Sequence, residues 1–231
     1  MPPYSGHILT SFDDSLSELR EATIAMGAGA QRNLSNAIRG LIERDKSLCN
    51  MAIADDDDED RMEVEIDQLG MTIITKYRPL AGDLRTVITS MKTSSHLERI
   101  SDQAVSIAKR SRKVIKSPEI KESLNVEGLY KVASQMLTDT LTAYADNNAE
   151  LALSVIDSAG KLKKCHKSTS KVFSRALEDE SDHYRDYLNL VFICRWLERV
   201  GGLAINIAEE VIFEETSTDV RHGGELPPEL Q

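Results

Sequence analysis

Helix breakers, disulfide patterns and long apolar runs are all scarce in this sequence. Of six prolines in 231 residues, only Pro79 and Pro118 lie away from the termini. The three cysteines form no C-x-x-C pair, and an odd number fits a reducing compartment better than a disulfide framework. No apolar run approaches the roughly 18 to 20 residues that span a bilayer, and the first residues lack the pattern of a secretory signal. We therefore expect long helices in a cytoplasmic protein without a membrane-spanning segment.

Positive charge is also in the minority. The chain has 28 Lys and Arg against 38 Asp and Glu, which gives a formal net charge of −10. A general nucleic-acid binder needs a basic face for phosphate contacts, so we expect no nucleic-acid partner. The apolar fraction of 41% is too high for a disordered acidic chain and predicts a buried core.

The apolar residues recur at the period of amphipathic helices. From Phe12 onward they are mostly three or four residues apart, which predicts a first helix. A second helical stretch runs over 46–77, and Pro79 separates it from a third helix that ends before Pro118. Gly27 and Gly29, in the middle of the first helix, indicate a bend or a close contact with another helix.

After a linker over 117–125 the same plan occurs again. Leu97-Glu98-Arg99-Ile100 in the first half aligns with Leu197-Glu198-Arg199-Val200 in the second, a register that indicates a duplicated unit. We predict an all-α fold of two tandem antiparallel three-helix bundles. We predict the first bundle at 7–117, the second bundle at 126–215 and a flexible tail at 216–231. The predicted apolar stripes of the second half include Leu129, Leu137, Leu151, Val155, Leu162, Val172, Leu177, Leu188, Val191, Leu197 and Val200.

Carboxylates line one face of each of two helices in the first half. Asp56, Asp60, Glu63 and Asp67 are spaced by four, three and four residues in the second helix, and Glu98 and Asp102 are four apart in the third. Like charges at this spacing repel, and a bound cation would turn the repulsion into coordination. Oxygen-only ligands suit hard or borderline cations.

The same acids also fit a solvent-exposed helix start that binds no metal ion. Residues 55–60 are six consecutive acids, and a solvated helix start is favoured by the helix dipole. Signatures of common enzymes are missing, since the sequence has no G-x-x-x-x-G-K-[ST], no G-x-S-x-G and no H-E-x-x-H. From spacing alone the metal site and the solvated face both remain open.

Several motifs together resemble those of the PhoU family. They are 79–85 (Pro-Leu-Ala-Gly-Asp-Leu-Arg), 97–104 (Leu-Glu-Arg-Ile-Ser-Asp-Gln-Ala), 197–201 (Leu-Glu-Arg-Val-Gly) and 206–209 (Asn-Ile-Ala-Glu). The resemblance covers the chain from about His7 to Phe213, and the doubled Leu-Glu-Arg motif is its most specific part. It implies the same fold, two tandem three-helix bundles.

The resemblance implies a regulatory function and not an enzyme. Family members act in phosphate uptake and phosphate-starvation signalling, as adaptors between the ATPase component of the phosphate ABC transporter and a sensor histidine kinase that they hold off when phosphate is plentiful. It also implies a homodimer. Two alternatives stay open, a carboxylate-rich metal-binding bundle (a metal-storage protein or a metalloenzyme) and a purely structural oligomerisation module.

Some family members bind metal ions through paired Glu/Asp-x-x-x-Asp motifs. The resemblance carries this role to Asp56 with Asp60 and to Glu98 with Asp102, and Glu63 is a further candidate ligand. The implied cofactor is a divalent or trivalent metal ion, such as Mg, Mn, Fe, Ca or Zn, of open identity.

The second half departs from this metal motif. At the positions that match three of the ligands it has Ala159, Lys163 and Gly202, and only Glu198 matches a first-half carboxylate. His166 matches Glu63, and a lysine at a ligand position repels a cation. We therefore expect a metal site in the first bundle only.

Overall fold

The computed structural model describes residues 10–179, 181–221, 224, 226, 227 and 230. In this part of the chain we find eight α-helices, two short 3₁₀ turns and no strand. The helices are α1 (Thr10–Ile42), α2 (Lys46–Ala54), α3 (Asp56–Tyr77), α4 (Ala81–Val114), α5 (Val126–Asp146), α6 (Ala149–Asp157), α7 (Ala159–Asp179) and α8 (Tyr184–Thr216). None of these helices is long and apolar enough to cross a membrane.

The helices form two bundles that confirm the predicted fold class. The first bundle consists of α1 to α4, with α4 packed between α1 and α3. The second consists of α5 to α8, with α8 packed against α5, α6 and α7. The bundles meet mainly where α4 contacts α8, and α1 adds contacts with α5. The predicted first-bundle limit at residue 7 and part of the predicted tail 216–231 lie outside the described residues.

The second helix of each bundle is interrupted once, which the sequence analysis did not predict. The expected continuous helix over 46–77 is divided at Asp55, which has φ −75° and ψ −5°. In the second bundle Ser158 divides α6 from α7 in the same way. The first turn of α3 consists of acidic residues, and the new helix start places their charges at the positive end of a helix dipole.

The predicted breaks at the prolines are confirmed. α3 ends at Tyr77, and Arg78 adopts a left-handed conformation with φ 51° directly before Pro79. α4 then begins at Ala81 and ends at Val114, before Pro118.

Most of the predicted apolar stripe residues are buried. Fully or almost fully buried members include Leu16, Leu19, Met26, Leu34, Ile66, Ile73, Leu97, Ile100, Leu129, Leu137, Val155, Leu162, Leu197 and Val200. The expectation was wrong for Val172 and Leu188, which are 38% and 44% exposed. Both fit a helical period, but each lies at the edge of its helix's buried face.

Buried and half-buried polar groups join the two bundles. Arg20 of α1 donates from Nη1 to Oε1 of Glu214 in α8 at 2.9 Å, and Thr86 of α4 donates to the same oxygen at 2.9 Å. Further along the same helices Lys92 pairs with Glu210 at 3.0 Å. Burial raises the pKa of Glu214, and Arg20 opposes that shift. Contacts of this kind fix the register of α8 against α1 and α4.

Candidate metal centre

The candidate site lies where the beginning of α3 packs beside the middle of α4. The four- and three-residue spacing places Asp56, Asp60 and Glu63 on one face of α3, and Glu98 and Asp102 on one face of α4. Asp56, Glu63 and Glu98 are half-buried, and the other two carboxylates are exposed. The face therefore opens to solvent on one side.

The charge environment of Glu98 shows that the five predicted ligands lie near one another. Burial raises the pKa of Glu98 to about 7, and the negative charges of four other groups add to the increase. In order of decreasing effect these groups are Asp102, Glu63, Asp60 and Asp56. The structure thus places all the predicted ligands within electrostatic reach of one carboxyl group.

Asp56 shows the same repulsion from the side of α3. Burial is the largest cause of the raised pKa of Asp56, and the negative charges of Asp60 and Asp102 add to the increase. The positive charge of Lys109 opposes it. The carboxylates therefore destabilise one another in their ionised forms. A cation placed among them would remove this cost.

The donor set fits a hard cation in its chemistry but is not closed around an ion. All five side chains offer only oxygen, as Mg²⁺, Mn²⁺ and Ca²⁺ prefer. Within the described residues, however, no group of three or more His, Cys, Asp or Glu side chains is arranged so that it could hold a metal ion. Ion binding would require rotation of side chains, for which the exposed Asp60 and Asp102 have room.

Glu59, next to this face, is a charged residue that the sequence analysis did not single out. Its side chain is only 1% exposed, and it lies against Gly29 of α1, where a Cβ atom would overlap Oε1. Burial raises its pKa to about 7, and the charge of Arg32 opposes the shift. Its Oε2 atom has no hydrogen-bond partner in the described part of the chain. Sequence spacing could not reveal this position, because it depends on a gap in a helix 30 residues earlier.

The second bundle has different chemistry at the matching place. His166 of α7 points its Nδ1 atom at Oε2 of Glu198 in α8, at 3.2 Å. The single remaining carboxylate thus has a histidine partner where its counterpart Glu98 has four neighbouring acids. The contact agrees with the register of the repeat, which matches His166 with Glu63.

Comparison with known families finds the same two units. The family model described as the PhoU domain matches residues 23–111 and residues 126–211. It thus matches each of the two bundles separately.

Similar proteins and structures extend over nearly the whole chain. The chain is 31% identical to the phosphate-specific transport system accessory protein PhoU homolog of Pseudomonas aeruginosa over 94% of this chain and 90% of that protein. It is 29% identical to the Escherichia coli K12 protein of the same description, over 94% of this chain and 90% of that protein. The crystal structure of PhoU from Pseudomonas aeruginosa superposes with a TM-score of 0.86 at 29% identity, and covers 90% of this chain and 100% of that one. The phosphate transport system regulatory protein PhoU from Streptococcus pneumoniae gives a TM-score of 0.83 at 25% identity, over 90% and 99% of the two chains.

Proposed function

The chain belongs to the PhoU family, and from this we propose that it is an accessory protein that regulates a phosphate-specific transport system. The proposal rests on how much of the chain is similar to known PhoU proteins. It covers both bundles and 90% of the Pseudomonas aeruginosa protein, which is named for that role. Such relatives are named as transport accessory or regulatory proteins and not as enzymes, in agreement with the expectation from the sequence.

In its finer form, the proposal is that the protein is a cytoplasmic adaptor. It binds the ATPase component of the phosphate ABC transporter and a sensor histidine kinase, and it holds the kinase inactive when phosphate is plentiful. Two features support this role. The Arg20–Glu214 pair holds the bundles in one arrangement, and matching faces of the two bundles differ, since acids surround Glu98 where His166 meets Glu198. A body with two unlike faces suits a protein that meets two partners.

Co-purification tests the adaptor role. The tagged full-length chain is expressed in its own host in high phosphate, and proteins that co-purify with it are identified. We expect both the transporter ATPase and the kinase, with a native mass that corresponds to a homodimer of the chain. Recovery of neither partner would contradict the adaptor role, and recovery of the chain alone would favour a structural oligomerisation module.

Metal binding is a second candidate function, favoured by the charge environment of Glu98. We propose that Asp56, Asp60, Glu63, Glu98 and Asp102 take up a hard cation in the first bundle. The high pKa of Glu98 supports this, because a bound cation would offset the repulsion from the neighbouring acids. Such an ion would link α3 to α4 and neutralise the outer face of the first bundle.

Calorimetric titration with Mn²⁺ and Mg²⁺ tests this site. The double change Asp56→Asn with Glu98→Gln is expected to abolish the binding signal, because it removes one ligand from each helix. Glu198→Gln is the matched control, since this residue occupies the position of Glu98 in the second bundle. No binding by the wild type, or equal loss in the control, would contradict a site restricted to the first bundle.

A further inference from the structure

The matching outer helices of the two bundles carry opposite charge. α3 contains eight acidic and two basic residues, in line with the acidic chain as a whole. α7 contains six basic residues, and its only two acids are its last two residues. A chain with a net charge of −10 therefore has one strongly basic outer helix.

The six basic side chains of α7 lie on one face. Their spacing of one to four residues keeps them within about half of the helix circumference. All six are exposed, whereas Leu162 and Phe173 on the opposite face are buried. We call this face the basic stripe; its members are Lys161, Lys163, Lys164, Lys167, Lys171 and Arg175. At 1.5 Å per residue it is about 21 Å long.

Nothing within the described part of the chain neutralises the basic stripe. None of its members forms an ion pair with a described side chain, and the contact of α7 with the carboxylate of Glu198 uses His166, at the flank that faces α8. Six like charges on one helix face repel one another. An external anionic partner would remove that repulsion.

We propose that the basic stripe docks on a surface of anionic lipid headgroups. Five of its six cations are lysines, which act as mobile point charges, whereas arginine is preferred for paired contacts with carboxylates in protein interfaces. A layer of headgroup phosphates needs no fixed pairing geometry and attracts clusters of basic residues on a helix. Val172, 38% exposed at the edge of the stripe, adds an apolar group that can enter the headgroup layer.

Two other anionic partners fit the stripe less well. Arginine is the preferred residue for nucleic-acid recognition, and the stripe contains only one. The acidic α3 helix of a second copy matches the stripe in charge, but a protein interface of this kind is normally depleted in lysine. Contact with lipid goes beyond the proposed function, which requires only protein partners.

Vesicle sedimentation tests the proposal with the full chain. Vesicles of phosphatidylglycerol and phosphatidylcholine are compared with vesicles of phosphatidylcholine alone. We expect binding only to the anionic vesicles, and loss of that binding when salt rises from about 0.1 M to about 0.5 M. Each lysine near an anionic surface raises partitioning roughly fivefold, so Lys164→Gln with Lys167→Gln and Lys171→Gln should weaken binding by about a hundredfold.

A charge-matched control separates the stripe from general charge. Lys46→Gln with Lys113→Gln and Lys116→Gln removes the same charge from exposed positions outside α7, and it should bind anionic vesicles as the wild type does. Equal loss in both triple variants, equal binding to neutral vesicles, or no vesicle binding would overturn the proposal. Binding of duplex DNA without vesicle binding would assign the stripe to nucleic acid. If only the oligomeric state changed in the stripe variant, the stripe would belong to a second copy's α3.

Discussion

At the scale of single residues, Glu59 occupies a position that disfavours its charged form. The side chain is 1% exposed, one carboxylate oxygen lacks a described partner, and the pKa rises to about 7 from an ordinary value of 4.5. Gly29 makes the position possible, since any side chain there would occupy the space of the carboxyl group. The folded protein therefore holds the proton of Glu59 more tightly than the unfolded chain does.

This linkage predicts a specific pH dependence. Because the pKa is raised on folding, the contribution of Glu59 is most favourable below about pH 4.5 and is lost as the pH rises through about 7. The free energy of unfolding of the wild type, relative to Glu59→Gln, should fall by about 2–3 kcal/mol between about pH 4.5 and about pH 8. Urea unfolding at a series of pH values measures this difference.

The exposed Glu65 on the same helix provides the control. Glu65→Gln should leave the pH profile of stability close to that of the wild type, because water solvates its carboxylate in both states. If the two substitutions gave the same profile, the burial of Glu59 would not be the cause.

At the scale of helices, periodicity predicted most of what the structure shows. Each predicted helix exists, because apolar residues at steps of three and four can be buried only on a helix face. The breaks at Asp55 and Ser158 were not predicted, because the apolar pattern continues across them and the break is a local change at one residue. Val172 and Leu188 were wrongly predicted to be buried for a related reason. The pattern identifies a helix face but not where the neighbouring helix ends.

The candidate site could also be predicted only in part. The spacing of Asp56, Asp60 and Asp102 shows which helix faces carry acids, and the structure brings those faces together. Glu59 could not be found, because its burial depends on α1. The basic stripe has a signal in the sequence, because the second half carries five lysines over 161–171 where the first half carries acids.

A substitution at Gly27 tests the packing between the bundles. A Cβ atom there would lie 2.5 Å from Cδ2 of Leu141 in α5, so α1 and α5 approach closely at this point. This confirms the expectation of a close helix contact. Gly27→Leu should lower the free energy of unfolding by about 1–3 kcal/mol, because overpacking forces side chains out of their rotamers.

A compensating change makes this test specific. Leu141→Ala empties the facing position, so the double variant should recover part of the stability that Gly27→Leu loses. Strictly additive losses in chemical denaturation would show that the two residues do not meet.

At the scale of the whole molecule, the seam between the bundles holds the two halves together. Arg20 donates to Glu214 and to the backbone oxygen of Tyr144, and it lies 4.8 Å from the centre of the Tyr144 ring. Arg20→Ala would leave Glu214 buried without its cation. We expect a loss of about 2–4 kcal/mol in the free energy of unfolding, since unpaired buried charges are costly.

An exposed ion pair serves as the reference for this loss. Arg39 pairs with Glu43 on the surface at 2.8 Å, and Arg39→Ala should cost much less stability than Arg20→Ala, because exposed ion pairs contribute little. Equal losses in thermal or urea unfolding would mean that the seam contributes no more than a surface contact. Addition of Glu214→Gln to Arg20→Ala should restore part of the stability, because it removes the unpaired charge.

The two bundles share one architecture, and the regulatory role in phosphate transport is proposed for the whole molecule. The most direct test is the amount of phosphate-starvation transcripts in a strain that lacks the gene, grown in abundant phosphate. We expect high transcript levels in this strain and their repression when the wild-type gene is restored. Full repression in the deletion strain would contradict it.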